Sequence, residues 1–238
     1  MKRILFFICT VFLVFNILTP FASAHTEEGV VQNELAHEFV GENSLEFETK
    51  LLEVDKKLEE YIDKIPYTEE EFEGLSEFEQ DRFIKEYFST DEYMAIQQEY
   101  QNELSNPLNP EVQYALPLVV PIAMIVGREA LKLVAKKGVS FAKSYLKPHI
   151  QKLGKNYDVA WDVKGRNHEL NSLVVVFQKA NGKRIGRVFA VDHGPIPLKP
   201  GSKQSIWHFH IAPDTGMHRT LKEFIPSGHK PDTRTVAY

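Results

Sequence analysis

Four histidines fall between residues 193 and 218 of a chain that holds nine, and they mark where its chemistry is most concentrated. They are His193, His208, His210 and His218. In the segment 206–212, Trp207, Phe209 and Ile211 alternate with His208 and His210. Successive side chains of a strand point to opposite faces, so the three apolar residues turn toward a core and the two imidazoles share the other, open face. Paired imidazoles titrate near neutrality, and one can serve as general base while the other serves as general acid. His193 closes the preceding strand and His218-Arg219 follows after a short turn, which allows all of them to converge. The candidate catalytic set is therefore His193, His208, His210, His218 and Arg219. Arg187, Lys203 and Arg219 can neutralise a phosphate and the charge that develops on it. Trp207 can stack a base, and Asp192 or Asp214 can orient an imidazole.

Such a set suits RNA cleavage by attack of the 2′-hydroxyl on the adjacent phosphate, which needs a base, an acid and a cation but no cofactor and no metal. The same residues support a second chemistry. His208 and His210 with Asp214 or His218 are competent zinc ligands, and a hydrolase built on them would use metal-activated water. A non-enzymatic secreted binding protein is the third reading. His149 and His229 stand apart in sequence, and His168 follows the turn at Gly165 closely enough to reach the site.

Four predicted strands position these residues: Tyr157–Val163, His168–Lys179, Arg184–Asp192 and Gln204–Ala212. Asn181-Gly182 joins the second to the third as a two-residue hairpin. Ahead of them, 128–147 reads as a basic helix with Ala130, Leu131, Val134, Phe141 and Tyr145 on its apolar side, and Pro148 ends or bends it. Residues 128–238 are thus expected to form an α+β domain, the basic helix packed on a four-stranded antiparallel sheet.

The rest of the chain divides into three parts. Residues 1–24 have the form of a secretory signal peptide: Lys2 and Arg3, an apolar run from Ile4 to Leu18, and small residues at Ala22-Ser23-Ala24. That implies a secreted protein with no stable membrane anchor after cleavage. The sole cysteine, Cys9, lies in that run, so the mature chain can use neither disulfides, nor thiol catalysis, nor a Cys-ligated metal. Residues 25–105 form an acidic helical region. Phe47, Leu51, Val54, Leu58, Tyr61 and Ile62 make one amphipathic face, and Thr68/Glu71, Ser76/Glu79 and Ser89/Glu92 fit capping boxes. Residues 106–127 read as a Pro-containing apolar linker, within which 114–126 either buries as a connector or meets a membrane.

Charge is segregated between the halves. Residues 25–105 hold 24 Asp and Glu against 6 Lys and Arg, whereas 106–238 hold 20 Lys and Arg against 9 Asp and Glu. That asymmetry points to a polyanion partner such as RNA, or to a basic domain held by the acidic segment 25–105 of its own chain.

The signal peptide, acidic helical leader, Ala115-Leu116-Pro117-Leu118-Val119-Val120-Pro121 connector and terminal basic α+β region together resemble the secreted toxins of Gram-positive bacteria. More broadly, they resemble the C-terminal ribonuclease domains of polymorphic toxins. The helix followed by four strands is similar to the fold of barnase, EndoU-type, colicin-type and RelE-type ribonucleases. This resemblance covers roughly 115–225 and implies a cytotoxic endoribonuclease countered by an acidic immunity protein. No family motif transfers a site residue by name.

Overall fold

In the computed structural model, residues 35–104, 119–165, 168–201 and 205–238 are described. The signal-peptide segment, most of the linker and Lys203 lie outside them. Six helices come first: α1 Leu35–Asp63, α2 Glu69–Glu73, α3 Glu77–Tyr87, α4 Asp91–Leu104, α5 Val119–Lys136 and α6 Val139–Gln151. The strands follow as β1 Tyr157–Lys164, β2 Leu170–Ala180, β3 Lys183–Pro195, β4 Leu198–Lys199, β5 Ser205–Ile211, β6 His218–Thr220, β7 Lys230–Pro231 and β8 Thr235–Ala237. All of the strands and the helices from Asn43 onward fall in one compact unit.

The α+β class is as expected, but the main sheet has six strands rather than four, in the order β1-β2-β3-β5-β6-β8. The four long strands are those read from the sequence. The two additions, β6 and β8, are three residues each and pair in parallel, which makes the sheet mixed. Three residues are too few to show a period of two.

The helical half is built as its sequence dictates. Leu51, Val54, Leu58, Tyr61 and Ile62 are buried along one face of α1. Thr68 and Ser76 cap α2 and α3 through reciprocal bonds with Glu71 and Glu79, which satisfies helix N–H groups that have no intrahelical partner. The third cap shifts by one residue. Thr90, not Ser89, accepts from the Tyr93 N–H at the head of α4, at 3.3 Å.

The predicted basic helix is two helices. Gly138, at φ 104°, breaks the chain between α5 and α6, a conformation open to glycine and strained for other residues. Helix α5 begins at Val119 rather than Arg128. Pro121 is its third residue, in the turn whose N–H groups lack intrahelical acceptors, so it forfeits no bond there. Pro148 does not end α6, which continues to Gln151. Among the described residues, no helix is long and apolar enough to cross a membrane.

The acidic and basic helices meet through a charge ladder. Asp55 pairs with Arg128 at 2.5 Å, Glu59 with Lys132 at 2.5 Å and Asp63 with Lys136 at 3.3 Å. The sequence separation is 73 at every rung. Helices α1 and α5 therefore run parallel, with rungs one α-helical turn apart. Further along, Lys147 reaches Glu77 at 2.7 Å. The cations of α5 and α6 are thus engaged within the chain.

Helix α5 then lies on the sheet. A Cβ on Gly127 would stand 2.5 Å from Cδ2 of Phe209, so only glycine lets the helix approach β5 this closely. Phe209 and Ile211 are buried in that layer with Val174, Val176, Phe189 and Val191. This contact fixes which face of β5 looks away from the helices.

Candidate metal centre

The residues alternating with Phe209 and Ile211 are His208 and His210, and both occupy the far face together, their ring centroids 4.9 Å apart. That face is not open, however: each histidine is 3 % exposed. Beside them, Ile206 packs with Ile196 and Leu198 in a second small cluster, against Phe224 and Ile225. The covering segments β4 and β7 are two residues each, too short to be read from a pattern.

Strand β6 pairs with β5 and brings in His218, whose ring lies 5.1 Å from His208 and 4.9 Å from His210. Ligand nitrogens of the three rings all lie within 4.8 Å of one another. From the other side, β3 pairs with β5 so that Asp192 stands opposite His208. Asp192 Oδ2 is 3.4 Å from His210 Nε2 and accepts from Arg187 Nη1 at 3.0 Å. Asp192 Oδ1 is buried and has no hydrogen-bond partner among the described residues.

The outer nitrogens are fixed by backbone. His208 Nδ1 lies 2.9 Å from the Ile206 carbonyl, His210 Nδ1 3.0 Å from that of Met217, and His218 Nδ1 3.1 Å from that of Arg234. A carbonyl can only accept, so each Nδ1 carries the proton; a neutral His208 or His218 ring is left with a lone pair on Nε2, and His210 Nε2 has one whenever it is not donating to Asp192. Three such lone pairs brought together repel one another unless a cation or a proton lies between them. Backbone carbonyls that hold imidazoles in this way are a usual second layer of a metal site.

Electrostatics favour the neutral rings. Burial lowers His208 to about 4, with the neighbouring His210 and His218 rings acting in the same direction. Burial also lowers His218. Burial by itself would raise Asp192, but hydrogen bonding to His210 and Ser172 outweighs it, and the carboxylate is held below its ordinary range. At neutral pH the centre presents two rings that resist protonation beside an ionised carboxylate, a donor set suited to zinc.

Several sequence-predicted residues lie elsewhere. His193 pairs with Trp207 across β3 and β5, ring centroids 5.0 Å apart, on the face opposite the three histidines. The reason is parity: when Asp192 shares a face with His208, its chain neighbour cannot. Trp207 packs toward the helical core as expected and so cannot stack a substrate over the cluster. Arg219 is paired with Phe209 and shares its face, so it too points away. Lys203 is outside the described residues. Asp214 touches no imidazole. Its Oδ1 accepts from the Gly216 and Met217 N–H groups at 3.1 and 3.2 Å, and it reaches His210 only through the Met217 carbonyl. His168 is exposed, with φ 62°.

The sequence reading brought in Asp192 only as an orienting group, and the three carbonyls carried no sequence signal at all. Asp192 was recoverable from the strand register, since the residue facing His208 must share its side of the sheet. Comparison with protein-family models, curated proteins and solved structures finds no match to this chain, so the centre stands on its own geometry.

Proposed function

We propose that this chain is an exported, metal-dependent hydrolase, with zinc held by Nε2 of His208, His210 and His218 and with Asp192 as the adjacent base. One observation carries this reading: three imidazoles whose Nδ1 atoms are each engaged by a backbone carbonyl bring ligand nitrogens within 4.8 Å of one another. Export is supported by the form of residues 1–24.

The metal-free ribonuclease expected from the sequence loses support. It needed His193, Arg219 and Trp207 beside the histidine pair, and all three face the other way. It also needed a ring that is protonated near neutrality, whereas burial holds His208 neutral down to about pH 4.

Zinc at this position would lower the pKa of a bound water toward neutrality. Asp192, ionised and beside the ligand nitrogens, would accept the proton that such a water gives up, and the bond this water forms to the ester centre would replace the bond to the leaving oxygen, which would take a proton from solvent. Arg187 steadies Asp192 throughout. Zn–N bonds of about 2.0–2.1 Å require the widest ligand pair to draw in by about an ångström.

Metal titration of the chelator-stripped full chain tests this reading. The expected result is one equivalent of zinc bound, with affinity falling at least about 100-fold in His208→Ala and His210→Ala, and ester hydrolysis that chelation abolishes. Asp192→Asn should keep the metal and lose turnover. Zinc binding that is absent, or indifferent to His208 and His210, would overturn the assignment. Loss of the metal in Asp192→Asn would instead make Asp192 a fourth ligand of a closed, structural site.

A further inference from the structure

Strand β3 pairs with β2 in a register that skips two of its own residues. Phe189 faces Val176 and Arg187 faces Phe177, which leaves Val188 unpaired. Gly186 then faces Gln178 and Arg184 faces Lys179, which leaves Ile185 unpaired. Each extra residue reverses the side to which later side chains point. Without the skips, Arg187 would be on the face opposite Asp192, five residues on. With them, Arg187 lies on the side of the histidine cluster, as its 3.0 Å bond to Asp192 Oδ2 requires.

The second skip cancels the first for Arg184 and returns it to the side of Asp192, eight residues on, where an unbroken strand would also place it. Its guanidinium covers the Phe177 ring at 4.3 Å and reaches Asp158 Oδ2 at 2.6 Å. Phe177 is the partner of Arg187, and paired residues share a face. Both side chains therefore rise from the sheet face that holds His208, His210 and Asp192, their β2 partners Phe177 and Lys179 being two residues, about 7 Å of backbone, apart. Neither is sealed away: the Arg187 side chain is 33 % exposed and that of Arg184 49 %. Arg187 uses one further donor on the Thr215 carbonyl at 3.3 Å. A guanidinium has five donors in a planar fork that fits two oxygens of one phosphate.

We infer that the substrate of this centre is a phosphodiester of a nucleic acid strand, with Arg187 gripping the phosphate beside the metal and Arg184 the next phosphate along. The inference rests on the hydrolase reading for turnover, but the anion grip itself can be measured without it. Two cations on the face of the three-histidine centre, one of them turned there only by a bulge, have no use in hydrolysis of a neutral ester. The α5 and α6 cations are tied to acidic helices or, for Lys143, to Asp162 of β1, whereas Arg187 and Arg184, though each beside one carboxylate, keep part of the guanidinium exposed for a polyanion.

The zinc-loaded full chain is assayed on bis(4-nitrophenyl) phosphate and on neutral 4-nitrophenyl acetate, alongside equilibrium binding of a single-stranded oligonucleotide. Arg187→Gln should lower kcat/KM on the diester at least about tenfold more than on the neutral ester, and Arg187→Lys should restore part of the difference. Arg184→Gln should spare the small diester relative to Arg187→Gln. It should weaken oligonucleotide binding and reduce the slope of log affinity against log salt by about one. If neither ester turns over yet oligonucleotide binding still falls about tenfold in Arg187→Gln, the hydrolase reading fails and the phosphate grip stands. Equal losses on both esters, or oligonucleotide binding indifferent to Arg187 and Arg184, would overturn the inference.

Discussion

Two buried polar clusters occupy opposite sides of the same sheet, and they differ in what each leaves over: donors on one side, acceptors on the other. On the helical side, Glu129 is fully buried and accepts from Tyr93 Oη at 2.8 Å, from Tyr145 Oη and from the Gln97 side-chain amide. Nearby, Asp55 accepts from both Arg128 and Tyr100, and Arg128 lays its guanidinium over the Tyr238 ring at 3.7 Å. Every carboxylate there meets donors of the protein itself. On the far side, three histidines gather ligand nitrogens within 4.8 Å of one another, and Asp192 Oδ1 meets no donor among the described residues. The helical cluster satisfies its carboxylates and leaves over only Nε and Nη1 of Arg128, which suits holding a fold together, whereas a cluster that converges on unused acceptors is shaped for a cation the chain does not supply.

The comparison can be broken first at the helical cluster, where the largest effect is expected. Asp55→Ala leaves Arg128 buried at 1 % exposure without its carboxylate. Removing one partner of a buried pair costs about 3–5 kcal/mol, because the remaining charge is uncompensated. Urea unfolding of the metal-free protein should show that loss, while the fraction still folded keeps its zinc stoichiometry. A loss below about 1 kcal/mol, as for an exposed pair, would mean that the ladder between α1 and α5 is not the closed network described.

Glu129 offers the next test. Burial is the main cause that raises it from 4.5 to about 7, despite opposing hydrogen bonds from Tyr145, Tyr93 and Gln97. The folded chain therefore holds this proton where the unfolded chain has released it. The resulting stability is complete below about pH 4.5 and disappears as pH rises through 7. Glutamine stays neutral at every pH, so Glu129→Gln should gain on the parent protein by about 3 kcal/mol between pH 4.5 and pH 7 and above. His208 and His149, both lowered to about 4 chiefly by burial, add an acid-side loss common to both proteins, and it cancels in the difference. A difference flat with pH would show that the Glu129 cage already holds a charge comfortably.

What could be read from the sequence follows the length scale of each feature. The α1 face, two of three capping boxes, the four long strands and the shared side of His208 and His210 are local periodicities, visible within a few residues. The burial of that side is tertiary: Ile196, Leu198, Phe224 and Ile225 gather around Ile206, next to His208 on the same face, and their short segments show no period. Pro121 looked like a breaker because proline usually is one, and only its place in the first turn of α5 makes it harmless. His193 was favoured over Asp192 because the loop between β3 and β5 leaves their register open. One residue of slip exchanges the two. The skips at Val188 and Ile185 are invisible to any pattern, and without them Arg187 belongs to the wrong face.

The smallest expected effect probes how the open cluster is held. Asp214 is exposed and touches neither a histidine nor Asp192, yet its Oδ1 ties down the Gly216 and Met217 N–H groups. The same turn presents the Met217 carbonyl to His210 Nδ1 and the Thr215 carbonyl to Arg187. Asp214→Ala should therefore lower zinc affinity by about tenfold, the lower end of what outer partners of metal ligands contribute. It should change unfolding free energy by only about 1 kcal/mol. Asp214→Asn, whose side-chain oxygen can accept the same two bonds, should recover most of the affinity. Recovery by asparagine places the effect in the turn rather than in the charge. Zinc affinity unmoved by alanine would mean that His210 is oriented by its neighbours in the sheet, and that the carbonyl contact merely accompanies that orientation.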